Sequence, residues 1–304
     1  MKIKIQLFFS LILISTLITI KAQNRTLYVD NFANILGNYS PENELLEFAK
    51  KHKIKELILY DLHKINKSFP LGDSTQNQIL ADFIVKAKKE YGVERISASG
   101  ESGNFFIEAI HPYNVSRKNK LERFDVYNLE YEYWNEHESL DGGYYCRNYL
   151  VNSQMKCNRE NSFKYFIGSL ETMRFLADEI DHDIEVEAYI GRYNHEEVKE
   201  ISKHIDRLLI HDYVRRIEGV FPYVKKRLEL LDEIDSNIKV SILYSAEMNF
   251  LGDYFKNHEL HEAEKKFFDS LRKEEKHLDD HINWNGFSYY NYDYLKYVTH
   301  LKHR

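Results

Sequence analysis

Two glutamates set two residues apart, Glu130 and Glu132, are the side chains of this sequence best placed to do chemistry. They sit in the run Phe124-Asp125-Val126-Tyr127-Asn128-Leu129-Glu130-Tyr131-Glu132-Tyr133-Trp134, where apolar or aromatic residues alternate with polar ones at period two, the pattern of a β-strand. Asn128, Glu130 and Glu132 therefore fall on one face. On a solvent-facing strand such a face is ordinary. Inside an α/β barrel it is costly, because buried carboxylates persist only when paired or put to use. Neighbouring carboxyls whose pKa values are pushed apart can divide the acid and base roles of a proton transfer.

Which reading applies depends on the elements that hold the run. Strand-like stretches at 26–30, 56–61, 93–100, 124–134, 185–190, 207–213, 239–245 and 286–292 alternate with helical ones at 40–52, 76–91, 103–118, 163–180, 194–205, 221–234 and 259–278. Ser40 reads as an N-cap with Pro41 at the first helical position, and Gly92 ends the second helix. Strands joined by helices demand parallel pairing through crossovers. Eight such units predict one α/β domain, a (β/α)8 TIM barrel over residues 23–304. An open doubly wound sheet is the alternative, weakened because no glycine-rich phosphate loop follows the first strand.

In a barrel of this kind functional groups sit at the C-terminal strand ends. Here those ends carry Asp30, Tyr60-Asp61, Ser99-Gly100, Glu130 and Glu132, Tyr189, His211-Asp212-Tyr213, Tyr244 and Tyr290-Asn291-Tyr292, with Trp134 just beyond the fourth strand. Acids and aromatic rings converging on one mouth suit a carbohydrate: ring faces stack on sugars and carboxylates grip hydroxyls or move protons. The competing reading makes Glu130 and Glu132 structural acids paired to Arg95 or Arg192, and the tyrosine-rich stretch 131–146 simple packing around a disulfide.

Asp125-Val126-Tyr127-Asn128-Leu129-Glu130-Tyr131-Glu132 resembles the Asp-x-x-Asp-x-Asp-x-Glu signature of family-18 glycoside hydrolases, which include chitinases and endo-β-N-acetylglucosaminidases. Ser97-Ala98-Ser99-Gly100 is similar to that family's Ser-x-Gly-Gly region, Asp212-Tyr213 falls where it carries a Tyr-Asp pair, and Gly286-Phe287-Ser288-Tyr289-Tyr290 resembles its last strand. The resemblance implies Glu132 as general acid, Glu130 as supporting carboxylate and the substrate's own N-acetyl group as nucleophile. It implies a retaining cleavage of β-1,4-linked N-acetylglucosamine-containing glycans. Asn128, Asp212, Tyr213, Tyr189, Tyr244, Tyr290 and Trp134 would bind the oligosaccharide. The second and third signature Asp residues are replaced by Asn128 and Glu130, and strand six reads Asp-Tyr rather than Tyr-Asp. A different class therefore stays open: a catalytically inactive barrel that binds a glycan or a protein partner at the cell envelope.

Composition narrows the rest. The 304 residues are 43% hydrophobic and 30% charged, and the few Gly (12) and Pro (4) argue against linkers. Lys2 and Lys4 precede an apolar run at 7–20 and then Lys21-Ala22-Gln23, which reads as a signal peptide over 1–22 and an exported protein: periplasmic, cell-surface or secreted. Loss of three lysines would move the net charge from −6 to −9, a poor match for nucleic acid. Cys146 and Cys157 suit a short-loop disulfide in that compartment. The 14 His residues show no metal-ligand spacing, and nothing suggests a nucleotide or flavin site, so no cofactor and no metal are expected.

Overall fold

The computed structural model describes residues 24–301, and the expected signal segment lies outside the described residues. Eight parallel strands close on themselves in sequence order: β1 (Asn24–Val29), β2 (Glu56–Leu59), β3 (Arg95–Gly100), β4 (Val126–Leu129), β5 (Glu185–Ile190), β6 (Arg207–Asp212), β7 (Lys239–Ser245) and β8 (Trp284–Tyr290). This is a (β/α)8 TIM barrel, as the alternation of elements predicts. Closure of β8 on β1 needs glycine at one point: Gly286 holds φ +148° and any Cβ there would lie 2.0 Å from the Asn24 carbonyl oxygen.

Two differences from the expected elements matter for the mouth. The strand of the 124–134 run ends at Leu129, so Glu130 and Glu132 belong to the loop above the barrel. The first long helix, Tyr39–Lys51, begins before Ser40, with Asn38 at the N-cap and no side-chain capping bond. Tyr39 and Pro41 thus lie inside the first turn. Among the described residues no helix is long and apolar enough to cross a membrane.

The outer faces of the strands pack on the helices through a continuous apolar core that includes Leu27, Leu57, Ile96, Tyr127, Val186, Ile210, Ile242 and Phe287. Trp284, which opens β8, sits at this outer layer against Phe267 and Phe268 of the helix Leu260–Glu274. The inner faces are different. Tyr28, Ile58, Tyr189, Leu209 and Leu243 form a small apolar cluster of their own. Beneath it the barrel interior is charged. Arg207, only 1% exposed, lies 2.7 Å from Glu56, 2.8 Å from Glu187 and 3.5 Å from Glu185. Ser97 donates to Glu56 at 2.6 Å, and Arg95 and Lys239 close on Glu185 from the barrel floor. Nη1 donates to both Glu56 and Glu185, while Glu187 is held by charge alone at Nη2.

Candidate active site

The charged interior connects upward to the mouth through neutral side chains. Asn128 donates from Nδ2 to Glu187 Oε1 at 2.7 Å, so its Oδ1 must be the acceptor for Ser99 Oγ at 2.9 Å. Ser99 Oγ also lies 3.3 Å from Glu130 Oε2. A hydroxyl has one proton, and here Asn128 takes it. The longer contact from Ser99 to Glu130 is therefore the weaker of the two. Burial, followed by the charges of Asp30, Glu101 and Glu132, pushes the Glu130 carboxyl well above the usual carboxylate range. The Ser99 contact opposes this shift, and burial outweighs it. The backbone N–H of Glu130 continues the ladder, donating to Gly100 O at 2.9 Å.

Glu132 is also held up, chiefly by burial. Tyr189 donates to its Oε1 at 3.3 Å and Asn135 approaches Oε2 at 3.5 Å, while its backbone N–H donates to the Tyr145 hydroxyl at 3.0 Å. Among the described residues no Lys or Arg bonds to either acid. Arg95 is committed to Glu185 at the opposite end of the barrel, and Arg192 forms no ion pair among the described residues. The structural pairing considered for these acids is therefore not the one made.

Aromatic rings wall the site. Tyr290 lies 5.8 Å from Tyr28 and 5.9 Å from Tyr213, and Trp134 lies 5.5 Å from Tyr189. Trp134 rests directly on the backbone of Gly191, where a Cβ would come within 2.5 Å of the indole nitrogen. The mouth thus brings together Glu130, Glu132, Trp134, Tyr189, Tyr213 and Tyr290. Asn128 is fully buried one layer below and acts on Glu130 through Ser99.

Asp212 and Tyr244 are elsewhere. Leu209 belongs to the cluster inside the barrel and Ile210 to the outer core, so Asp212 shares the outward face. Tyr244, its register partner on β7, packs on Phe287 and Tyr289 in that outer layer. Expecting both to hold substrate is corrected by strand parity. His211, not Asp212, lines the interior, 3.9 Å from Tyr213 and 6.0 Å from Tyr189. Burial, then Arg227 and Arg192, hold its imidazole down at about 3. It is neutral at any working pH.

Glu101 and Tyr149 are mouth residues that were not singled out from sequence. Glu101, the residue after β3, accepts the hydroxyls of Tyr60 (2.7 Å), Tyr144 (2.7 Å) and Tyr149 (2.5 Å). These border a cavity of about 300 Å³ that reaches down to Ser99. Asp30 accepts from Asn291 at 2.7 Å, and burial raises its carboxyl too. An acid directly after a strand end was the available signal for Glu101; the tyrosines come from distant loops. The Cys146–Cys157 disulfide is formed and ties down the loop that supplies Tyr144, Tyr145 and Tyr149.

No family model matches the chain, and no curated protein matches it in sequence. The family-18 resemblance of the fourth strand is therefore without support from a family match. Similar solved structures exist. A β-glucosidase from Thermotoga maritima in complex with castanospermine matches at TM-score 0.54 and 10% identity, over 89% of this chain and 88% of that one. A Thermotoga maritima family 1 glycoside hydrolase complexed with a cyclophellitol analogue transition state mimic matches at TM-score 0.53 and 11% identity, with the same coverage. The AHE enzyme from Alicyclobacillus herbarius matches at TM-score 0.50 and 10% identity, over 83% and 76%. What they share with this chain is the TIM barrel. At these identities the likeness is one of fold, and function has to be argued from the site.

Proposed function

We propose that the protein is an exported glycoside hydrolase acting on β-1,4-linked N-acetylglucosamine-containing glycans, with the bond to be cut lying over Glu130 and Glu132. The observation that carries this reading is the pair itself: two acids at the C-terminal mouth, both held above the usual carboxylate range, neither bonded to a Lys or Arg among the described residues, inside an aromatic wall. Glu132 gives its proton to the glycosidic oxygen as the C1–O bond breaks. The acetamido carbonyl oxygen of the same sugar bonds to C1. Water then attacks C1 as the bond from C1 to the acetamido oxygen breaks, a water proton passes to Glu132, and the configuration is retained. Glu130 positions the acetamido group, with Asn128 and Ser99 holding Glu130 in place. Tyr213, Tyr290, Tyr189 and Trp134 supply stacking faces.

The test is sugar release from a panel of N-acetylglucosamine-containing glycans, comparing the protein with Glu132→Gln. Loss of a general acid is expected to lower turnover by roughly 10²–10⁴-fold. A second reading is a catalytically inactive barrel that binds a glycan or a cell-envelope protein. It is favoured by the loop tyrosines that occupy Glu101 and cover part of the mouth. Glycan binding without release by the unaltered protein would select it.

A further inference from the structure

On the β5–β6 side of the mouth a second cavity, about 270 Å³, is lined by Gly191, Arg192, Tyr193, Tyr223 and Arg227. Its charge is the reverse of the acidic side formed by Asp30, Glu101, Glu130 and Glu132. Arg227, from the helix Val220–Glu233, is only 8% exposed. Its guanidinium donates to three backbone carbonyls: Gly191 and His211, both at 2.7 Å, and Tyr223 at 3.1 Å. The carbonyls take three of its five N–H groups and supply no counter-charge, and among the described residues Arg227 makes no ion pair. Asp212 acts on it through charge but makes no ion pair with it among the described residues. Neither oxygen of Asp212 has a hydrogen-bond partner among the described residues, and burial pushes that carboxyl well above its usual range while the Arg227 charge pulls the other way. Burial lowers Arg227 as well, but a guanidinium stays charged. A buried cation with no ion-pair partner from its own chain among the described residues is unfavourable. Arg192 adds a second unpaired guanidinium at the exposed rim of the same cavity.

We infer that this cavity is a subsite for an acidic sugar, one carrying a carboxylate or a sulfate, within the glycan that reaches Glu130 and Glu132. The two guanidiniums provide the charge and fork geometry for an oxyanion. Tyr223, which is half-exposed and has the Arg227 guanidinium 4.8 Å from its ring centre, offers a stacking face, and the space is on the scale of a single sugar ring. The cavity adjoins the carboxylates through one chain of contacts. Gly191 carries the Trp134 indole on its backbone, Trp134 packs on Tyr189, and Tyr189 donates to Glu132. An acidic sugar would be repelled from the Glu101 side and held at the arginine side. The charge pattern therefore sets the direction in which the glycan lies as well as its composition.

The inference rests on the glycan reading, and calorimetry separates the two. Three trisaccharides are compared: one of neutral N-acetylglucosamine, one with a uronic acid at one position, and one with a sulfated sugar. At least one acidic ligand should bind about tenfold or more tightly than the neutral one, as expected for a charge-assisted hydrogen bond, and added salt should narrow the gap. Arg192→Ala, at an exposed position, should remove most of the preference without disturbing the fold. Arg227→Lys, which keeps the charge but loses the fork, should reduce it. Equal affinities, no binding of any of the three, or a preference unchanged in both variants would overturn the subsite. Whichever acidic ligand binds better distinguishes carboxylate from sulfate. Sugar release is read in parallel. Arg192-dependent binding with no cleavage would leave the subsite standing and remove the hydrolase reading, whereas cleavage without acidic preference would do the opposite.

Discussion

The backbone N–H of Glu132 donates to the Tyr145 hydroxyl at 3.0 Å, and Tyr145 is the residue before Cys146. The disulfide to Cys157 therefore anchors a side chain that touches the candidate acid. It closes a loop with a sequence separation of 11 residues, and cross-linking a loop of about this length removes roughly 3 kcal/mol of unfolded-state entropy. The Cys146→Ser/Cys157→Ser variant, or the protein under reductant, should melt several degrees lower and bind glycan more weakly. Unchanged melting and affinity in calorimetry would show that the loop holds its place without the bridge.

Glu130 predicts an inverted pH effect. Its carboxyl in the fold lies above its unfolded value, so its contribution to stability is fully present below the unfolded value of about 4.3 and is lost as pH rises through the folded one. Glu130→Gln, always neutral, should therefore melt higher than the natural protein at pH 8, with the gap closing towards pH 4. Thermal unfolding at the two pH values is the check; a variant less stable at pH 8 counts against a protonated Glu130.

The interior cluster has the opposite sign at its lower end. Burial raises Glu185, but hydrogen bonds from Arg95 and Lys239 and the charge of Arg207 outweigh it and bring its carboxyl to about 2. That stability is present above about 4.3 and lost as pH falls towards 2. Arg207→Met would strand Glu56 and Glu187 inside the barrel, Glu185 keeping Arg95 and Lys239, and should cost about 3–5 kcal/mol at neutral pH in urea unfolding. A cost near zero would mean that the acids take up protons without penalty.

Asn128→Asp restores the carboxylate that the family-18 signature carries at this position, and it is expected to do harm. The Nδ2 donor to Glu187, 2.7 Å away, becomes an acceptor facing an acceptor. The loss should be about 2 kcal/mol at pH 7 and smaller at pH 5, where the pair can share a proton. Urea titrations at both pH values decide it. An equal loss at both would point to shape rather than charge.

The eight strands were legible because each apolar stretch is bounded by helical periodicity, and their order follows from the crossover rule. The direction of side chains on β6 was not. Leu208-Leu209-Ile210 is apolar on both faces, as buried parallel strands are, so nothing local tells whether His211 or Asp212 points inward. The interior charges left a trace, since Glu185 and Glu187 alternate with apolar residues on one strand just as Glu130 and Glu132 do along their run. Their partner Arg207 lies on another strand, and Glu56 on a third, which only closure of the barrel brings within reach. The same holds for Glu101 and its tyrosines: three hydroxyls from residues 60, 144 and 149 converge on one acid, and no sequence spacing encodes that meeting.

Trp134 and Trp284, the two tryptophans of the sequence, mark opposite ends of the barrel. One lies on Gly191 at the mouth and the other opens β8 at the floor, packed between phenylalanines. The chain thus carries its own pair of optical depth markers. With Trp284→Phe the remaining emission comes from the mouth alone, so its quenching by a small solute reports occupancy of the sugar site. The partner variant, Trp134→Phe, reports unfolding of the barrel floor without reference to ligand.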